Sequence, residues 1–399
     1  MLQALTDAIA AAGQENWSSV NHHLQYLIQA AETGMATCVT ASEWEQIVAL
    51  ALRVLEAGDF QQRWEVAKLF PKCGKCAIAP LIERLENEEL AVEVRWFAGR
   101  ILGEFDDPAS VIALVKLLRQ TEEEEVMAMA SQALAHLGVT AIEALNHLLE
   151  EPSSQALAVQ ALAQIRRTET IEPLLKVVDS PAADIRATAV EALGSFHDDR
   201  ILPVLLNALR DPAVKVRKEA AIALGLRSQL CLPPNLVEPL KPLLFDLDER
   251  VCQQAAIALG RMGTDEAAEA LFPVLKSPAT PIWLKLDIVR ALGWIDTHQA
   301  LEYLQQGLRW SDAEVCQEIV RVLGRKELPE LRQCATQMLI EFLNSGQQSA
   351  TQSSLKQAIA LSLGELRSSE GKDALLLLAN DPDRTVQLHA IAALKKFER

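Results

Sequence analysis

Aromatic side chains are few in this chain of 399 residues, at 5% with only two tyrosines, and the polar motifs that announce catalysis are missing. No Gly-x-Ser-x-Gly occurs, which removes the hydrolase nucleophile elbow, and no Walker-type loop occurs, which removes the commonest phosphate cradle. The seven histidines, at 22, 23, 136, 147, 197, 298 and 389, include no His-Glu dipeptide and share no repeat position. Positive charge is scarce: 38 Lys and Arg against 54 Asp and Glu give a net charge of −16, which argues against nonspecific binding to nucleic acid or to an anionic membrane. No apolar run approaches the roughly 18 residues of a membrane span. Met1 to Ala12 lacks a basic start and is interrupted by Asp7, so no secretory signal is expected. Seven scattered cysteines make no disulfide framework, and their odd number points to free thiols in a reducing compartment. A soluble cytoplasmic protein is expected, with no membrane insertion and with proteins or small ligands as partners.

What the sequence has in abundance is self-similarity. The stretch Val216-Arg217-Lys218-Glu219-Ala220-Ala221-Ile222-Ala223-Leu224-Gly225 has close variants almost to the C-terminus. With its last glycine as the register mark, the same ending falls at Gly103, Gly138, Gly194, Gly225, Gly260, Gly293, Gly324 and Gly364, with degenerate copies at Phe70, Ala163 and Lys395. Successive marks are 33, 35, 25, 31, 31, 35, 33, 31, 40 and 31 residues apart. Two amphipathic segments per period of about 30 residues predict a solenoid of helix pairs.

Residues 1–59 lack the signature and hold three helical patterns, Leu2 to Ala12, Trp17 to Glu32 and Ser42 to Ala57, read as a helical N-terminal cap; Ser42 is placed to cap the third and Gly58 to end it. Residues 60–399 carry the repeats, each with an outer helix A and an inner helix B. In the clearest copy helix A runs over about Ile201 to Arg210, Asp211-Pro212 starts helix B and Gly225 offers a left-handed stop. Ser180-Pro181, Ser277-Pro278 and Asp381-Pro382 repeat that start. Two polar, turn-rich stretches break the rhythm, one between Leu226 and Leu236 and one between Asn344 and Ser354.

The segments Asp211 to Gly225 and Asp184 to Gly194 resemble HEAT repeats of the short, Ala-rich kind typified by the phycobilin lyases of cyanobacterial antenna complexes, and Val94 to Phe105 resembles an aromatic-rich copy. The resemblance covers roughly residues 60–399. It implies an all-α, right-handed α-solenoid of about ten helix pairs with helix B on the concave side. It also implies a ladder in which the helix B arginine pairs with an acid of a neighbouring turn. Arg95, Arg186 and Arg217 match that arginine, Lys285 and Lys356 keep the charge, and Cys252, Cys316, Gln155 and Gln387 depart from it. A di-iron hydroxylase built of HEAT-type repeats is similar in repeat size, but the His-Glu pairs it needs are absent.

Candidate sites follow from these patterns. Cys73-Gly-Lys-Cys76 could close a disulfide or give half of a metal site, with Lys72 and Lys75 placed to lower a thiol pKa, although a plain inter-helix turn uses the same residues. Positions seven and three before the register mark lie one helical turn apart and give Trp96 and Arg100, Ala187 and Glu191, Lys218 and Ile222, Gln253 and Ile257, Leu286 and Arg290, Gln317 and Arg321. Arg100, Arg290 and Arg321 on a common face would suit an acidic protein or the propionates of a tetrapyrrole. Trp283, Trp294 and Trp310 are candidates for an aromatic patch.

The expected function is a noncatalytic scaffold or adaptor that binds another protein, such as a phycobiliprotein subunit or a second HEAT-repeat protein, without a cofactor. The alternative is a bilin lyase that presents a linear tetrapyrrole to a cysteine of an antenna protein.

Overall fold

The computed structural model describes residues 2–32, 40–227 and 236–397, and among these every regular element is helical. The chain divides into two compact units, Met1–Phe196 and His197–Arg399. The first holds α1 (Leu2–Gly13), α2 (Trp17–Glu32), α3 (Ala41–Ala57), α4 (Phe60–Ala67), α5 (Phe70–Cys73), α6 (Ile78–Glu86), α7 (Val92–Leu102), α8 (Pro108–Gln120), α9 (Glu124–Leu137), α10 (Val139–Leu148), α11 (Gln155–Ile165), α12 (Ile171–Leu175) and α13 (Ala183–Gly194). The second holds α14 (Ile201–Ala208), α15 (Val214–Arg227), α16 (Val237–Leu240), α17 (Glu249–Met262), α18 (Asp265–Lys276), α19 (Ile282–Trp294), α20 (His298–Trp310), α21 (Ala313–Leu323), α22 (Pro329–Leu343), α23 (Ser353–Leu366), α24 (Ser369–Leu378) and α25 (Arg384–Leu394).

Within each unit the helices stack in chain order, as an all-α solenoid requires. In the first, α7, α9, α11 and α13 form a row in which each touches the next, with α6, α8 and α10 behind, and α1–α3 pack on one another and on α4 and α7. In the second, α15, α17, α19, α21, α23 and α25 form one row, the helix B row of the sequence pattern and called inner for that reason, and α18, α20, α22 and α24 form the other, the helix A or outer row.

The register glycine makes this stacking possible, in a way the sequence reading did not expect. Gly225 is interior to α15 and Gly260 interior to α17, with none of the positive φ of a left-handed stop. A Cβ on Gly225 would stand 2.9 Å from the Cα of Ala258, one on Gly260 2.9 Å from that of Ala291, and one on Gly364 2.7 Å from the Cβ of Ala393. At these three marks the glycine therefore admits the next inner helix, and an alanine two places before the following mark receives it.

Local starts and stops differ in detail. Thr40, not Ser42, caps α3, because Thr40 and Glu43 close a capping box: the Glu43 amide donates to Thr40 Oγ1 (3.3 Å) and the Thr40 amide to Glu43 (2.7 Å). Gly58 ends that helix in extended backbone at φ −73°. Asp211 accepts from the amide of Ala213 (2.8 Å), turning the chain just ahead of α15. The break between Leu226 and Leu236 lies almost wholly outside the described residues. The one between Asn344 and Ser354 is tethered, with Ala350 1% exposed and Gly346 at φ 68°.

The arginine ladder is present and has two halves. In five repeats the residue eight places before the mark reaches back to a carbonyl six places earlier: Arg217 to Asp211 O (2.8 Å), Arg186 to Ser180 O (2.7 Å), Gln387 to Asp381 O (2.7 Å), Gln155 to Leu149 O (2.8 Å) and the thiol of Cys252 to Asp246 O (3.1 Å); Arg95 instead reaches Leu85 O (3.2 Å). Some also reach forward: Arg217 bonds both oxygens of Asp246 (2.8 Å each), and Lys356 bonds Asp381 (2.6 Å). The uncharged departures thus keep the backward bond, and the charged rung reappears late in the chain.

Candidate functional site

The inner row of His197–Arg399 shows the site's origin in helix periodicity. One place before each mark stands a leucine, Leu224, Leu259, Leu292, Leu323 or Leu363, and each is fully buried. Positions seven and three before the mark fall on the opposite side of the helix, and all are at least partly open: Lys218 and Ile222, Gln253 and Ile257, Leu286 and Arg290, Gln317 and Arg321. The repeat thus presents one solvent-facing stripe per inner helix.

On that stripe the charges are held. Arg290 donates from Nε to Glu318 (2.9 Å) and from Nη1 to Asp287 (2.9 Å), and Arg321 reaches the other oxygen of Glu318 at 3.4 Å. Carboxylate bonding holds the Arg290 guanidinium above its ordinary pKa, Glu318 contributing most. Glu318 is nearly buried, while the side chains of Arg290 and Arg321 stay about half exposed, at 47% and 54%. The result is a carboxylate clamped between two arginines whose other N–H groups face outward. Trp294, 52% exposed, joins Arg290, Arg321 and Arg325 around an open cleft of about 600 Å³. Arg321 and Arg325 also border a second depression lined by Gln357, Leu361 and His389. Lys218 lies beside Glu219 (2.8 Å).

Trp283 and Trp310 are exposed like Trp294, at 38% and 41%, yet no ring contact joins the three among the described residues. Trp283 and Trp294 stand at opposite ends of α19, roughly 16 Å apart along its axis at ~1.5 Å per residue. One aromatic pair of this unit, Phe272 on Tyr303 with centroids 4.1 Å apart, links two outer helices and had no signal in the inner-helix pattern.

In Met1–Phe196 the structure places Trp96 and Arg100 one turn apart on α7, both half-buried. Arg100 lies over the ring of Trp64 at 4.3 Å, and Trp64 in turn meets Phe60 and Phe97. Phe60 and Trp64 escaped the sequence reading because their helix has no complete register ending. Ala187 is buried, whereas Glu191 is exposed beside Gln160 and Thr188.

Cys73 and Cys76 are both free thiols. Cys73 is buried against the Leu69 carbonyl (3.5 Å), and Cys76 points at the Cys73 carbonyl (3.1 Å). Desolvation pushes the Cys73 thiol up to about 12 and raises that of Cys76, opposite to an activated thiolate. The lysines expected to lower them turn elsewhere, Lys72 to Glu32 (3.1 Å) and Lys75 to Asp107 (2.9 Å). Among the described residues no three His, Cys, Asp or Glu side chains come together as metal ligands, and no helix is long and apolar enough to cross a membrane.

Comparison with solved structures returns the same architecture. A structure of Kap121p bound to Nup53p matches at 13% identity and a TM-score of 0.59, over 95% of this chain and 48% of that one. A structure in which Kap95p binding induces the switch loops of RanGDP to adopt the GTP-bound conformation matches at 14% identity and a TM-score of 0.50, over 99% of this chain and 61% of that one. This chain thus spans less than two thirds of each, and the likeness is one of fold. Human deoxyhypusine hydroxylase, at 21% identity over 68% of this chain and 99% of its own, has a TM-score of only 0.29. No curated protein matches in sequence. The HEAT-repeat model matches residues 78–157, 142–225, 202–283 and 237–324, so that more than half of the sequence is covered. The chain therefore belongs to the HEAT-repeat family.

Proposed function

We propose that this chain is a noncatalytic protein-binding scaffold whose partner lies along the open stripe of the inner helices, centred on Arg290, Trp294 and Arg321. The observation that carries this reading is the pairing of a half-exposed tryptophan with two arginines already fixed in place by Glu318. Trp and Arg are the side chains that most often anchor interfaces, and arginines held by a buried acid lose little freedom on binding. The resemblance to the phycobilin lyase kind of HEAT repeat makes a phycobiliprotein subunit the partner to test. A second reading, a bilin lyase, draws on the same cleft: Trp294 would cover a linear tetrapyrrole and Arg321 and Arg325 would take its propionates.

The purified chain, immobilised, is exposed to cyanobacterial lysate, and the eluate is read by mass spectrometry and by visible absorbance. A phycobiliprotein retained by the wild type and at least about tenfold less by Arg290→Glu/Arg321→Glu, a loss of ~1.4 kcal/mol, is the expected result. Equal retention by both would reject this face. Colour that stays on the chain after the protein partner is washed away would favour the lyase reading.

A further inference from the structure

The cleft beside Trp294 is one of two that share a wall. Three places before the mark and one place after it stand Arg290 and Trp294 on α19, Arg321 and Arg325 at the end of α21, and Leu361 and Glu365 on α23, each pair one helical turn apart. The first two pairs line the cleft already described, and the last two line the second depression, of about 370 Å³. Arg321 and Arg325 are therefore the partition between them. Arg321 gives one N–H group to Glu318, and the exposed guanidinium of Arg325 makes no ion pair or hydrogen bond among the described residues. Glu365, at the corresponding place on α23, is taken by Lys396. On one side of the partition Trp294 is half-exposed, and on the other Leu361 is 44% exposed. Trp294 is also held in place: the buried Lys326 donates from Nζ to the carbonyls of Gly293 (2.8 Å) and Ile295 (2.9 Å), the residues on either side of it, and to Asp296 (2.9 Å). Read across three helices, the surface is apolar, cationic, apolar.

Charge selects what fits there. A carboxylate accepts two parallel N–H bonds from one guanidinium, so the open donors of Arg321 and Arg325 suit an acidic side chain. Beyond the arginines the linings turn acidic, with Asp296, Glu318 and Glu327 in the first cleft and Glu365 in the second. One carboxylate on the partition is therefore matched, whereas a nucleic acid, charged at every unit, is not. The apolar places on either side call for apolar side chains on the same ligand. Helix packing sets their spacing: neighbouring helices lie about 8–10 Å apart, so Trp294 and Leu361, two helices apart, are separated by roughly 16–20 Å, which an extended chain at ~3.3 Å per residue crosses in five or six residues.

We propose that the two clefts together bind an extended segment of a partner protein in which one acidic residue stands between two apolar ones roughly five or six residues apart. The acid lies on Arg321 and Arg325, one apolar side chain covers Trp294 and the other covers Leu361. This inference rests on the protein-binding reading above and names the chemistry of the segment that the face takes.

The test is fluorescence anisotropy of short fluorescein-labelled peptides titrated with the full chain. Each peptide carries two leucines on either side of one aspartate in a glycine and serine background. The peptide with its leucines at the spacing above should bind, and asparagine in place of the aspartate, or serine in place of either leucine, should weaken it at least about tenfold. Arg325→Glu and Trp294→Ala, both at exposed positions and checked for unchanged helicity by circular dichroism, should each weaken it to a similar degree. Arg325→Glu should in turn prefer a peptide with lysine at the aspartate's place. No binding of the spaced peptide, equal binding of its asparagine form, indifference to either variant, or tighter binding of a polyglutamate peptide would each overturn the proposal. The lysate capture then separates the causes. Retention still lost in Arg290→Glu/Arg321→Glu would reject this ligand and leave the binding face standing, whereas equal retention would reject both.

Discussion

At the scale of single residues, the register glycine matters most, and its weight comes from a neighbour that the sequence does not place beside it. Replacing Gly260 with alanine should gain up to about 1 kcal/mol in helix propensity, yet its Cβ would press on Ala291 at 2.9 Å from Cα and 3.0 Å from Cβ and O. Backbone cannot give way as a flexible side chain can, and overpacking costs roughly 1–3 kcal/mol, so overpacking should win. Gly13, whose Cβ would meet nothing within 4 Å, is the control. Urea titrations should show Gly260→Ala destabilised and Gly13→Ala neutral or stabilised; equal behaviour would mean that inner-helix spacing relaxes freely. The glycine's position was legible from recurrence alone. Its purpose was misread, because a glycine near the end of a helical pattern looks the same whether it turns the chain or admits another helix. Arg100 on Trp64 was illegible for a similar reason: the contact joins two helices 36 residues apart, and no local period carries it.

At the scale of elements, the turn before each inner helix is the joint. Thr40-Ala-Ser-Glu43 was a readable capping box, passed over for a serine two places later. The forward rungs were less readable, since their acids sit on the next repeat. Burial sets their strength. Arg217 and Asp246 have side-chain exposures of 16% and 9%, while Lys75, paired with Asp107, is 83% exposed. An exposed pair contributes up to ~1 kcal/mol, and breaking a buried one costs roughly 3–5 kcal/mol. Asp246→Ala should therefore destabilise by about 2–4 kcal/mol, moderated because Arg217 keeps the carbonyls of Asp211 and Pro212. Lys75→Met should cost no more than ~1 kcal/mol. Chemical denaturation of both variants checks the contrast, and similar losses would show that the ladder is surface ornament. The cysteine and glutamine departures explain why the pattern looked broken: a thiol or an amide can donate to the carbonyl six places earlier, so residue class changed while the backward bond stayed.

At the scale of the whole molecule, the repeat period and the stripe of open positions were legible because both are consequences of the helix turn. Which residues on that stripe are held, as Arg290 and Arg321 are by Glu318, was not, because it depends on the neighbouring helix. Acid should separate two properties that both depend on charge. Asp246 is held below the ordinary carboxylate range chiefly by Arg217, Asp198 is lowered to about 2 chiefly by Arg200, and Asp383 to about 2 chiefly by Ser353. A folded-state pKa below the unfolded value, near ~3.9 for aspartate, gives stability that is complete above that value and lost as pH falls through the folded one. These groups should therefore hold the fold until below about pH 4 and release it progressively toward pH 2. Net charge behaves differently: it passes through zero near the pI of 5.0, where repulsion between chains is weakest. Light scattering should accordingly peak near pH 5 while far-UV circular dichroism still shows full helicity, and helicity should fall only at lower pH. Helix loss already coincident with scattering at pH 5 would show that the depressed aspartates do not govern acid stability, and that general charge balance does.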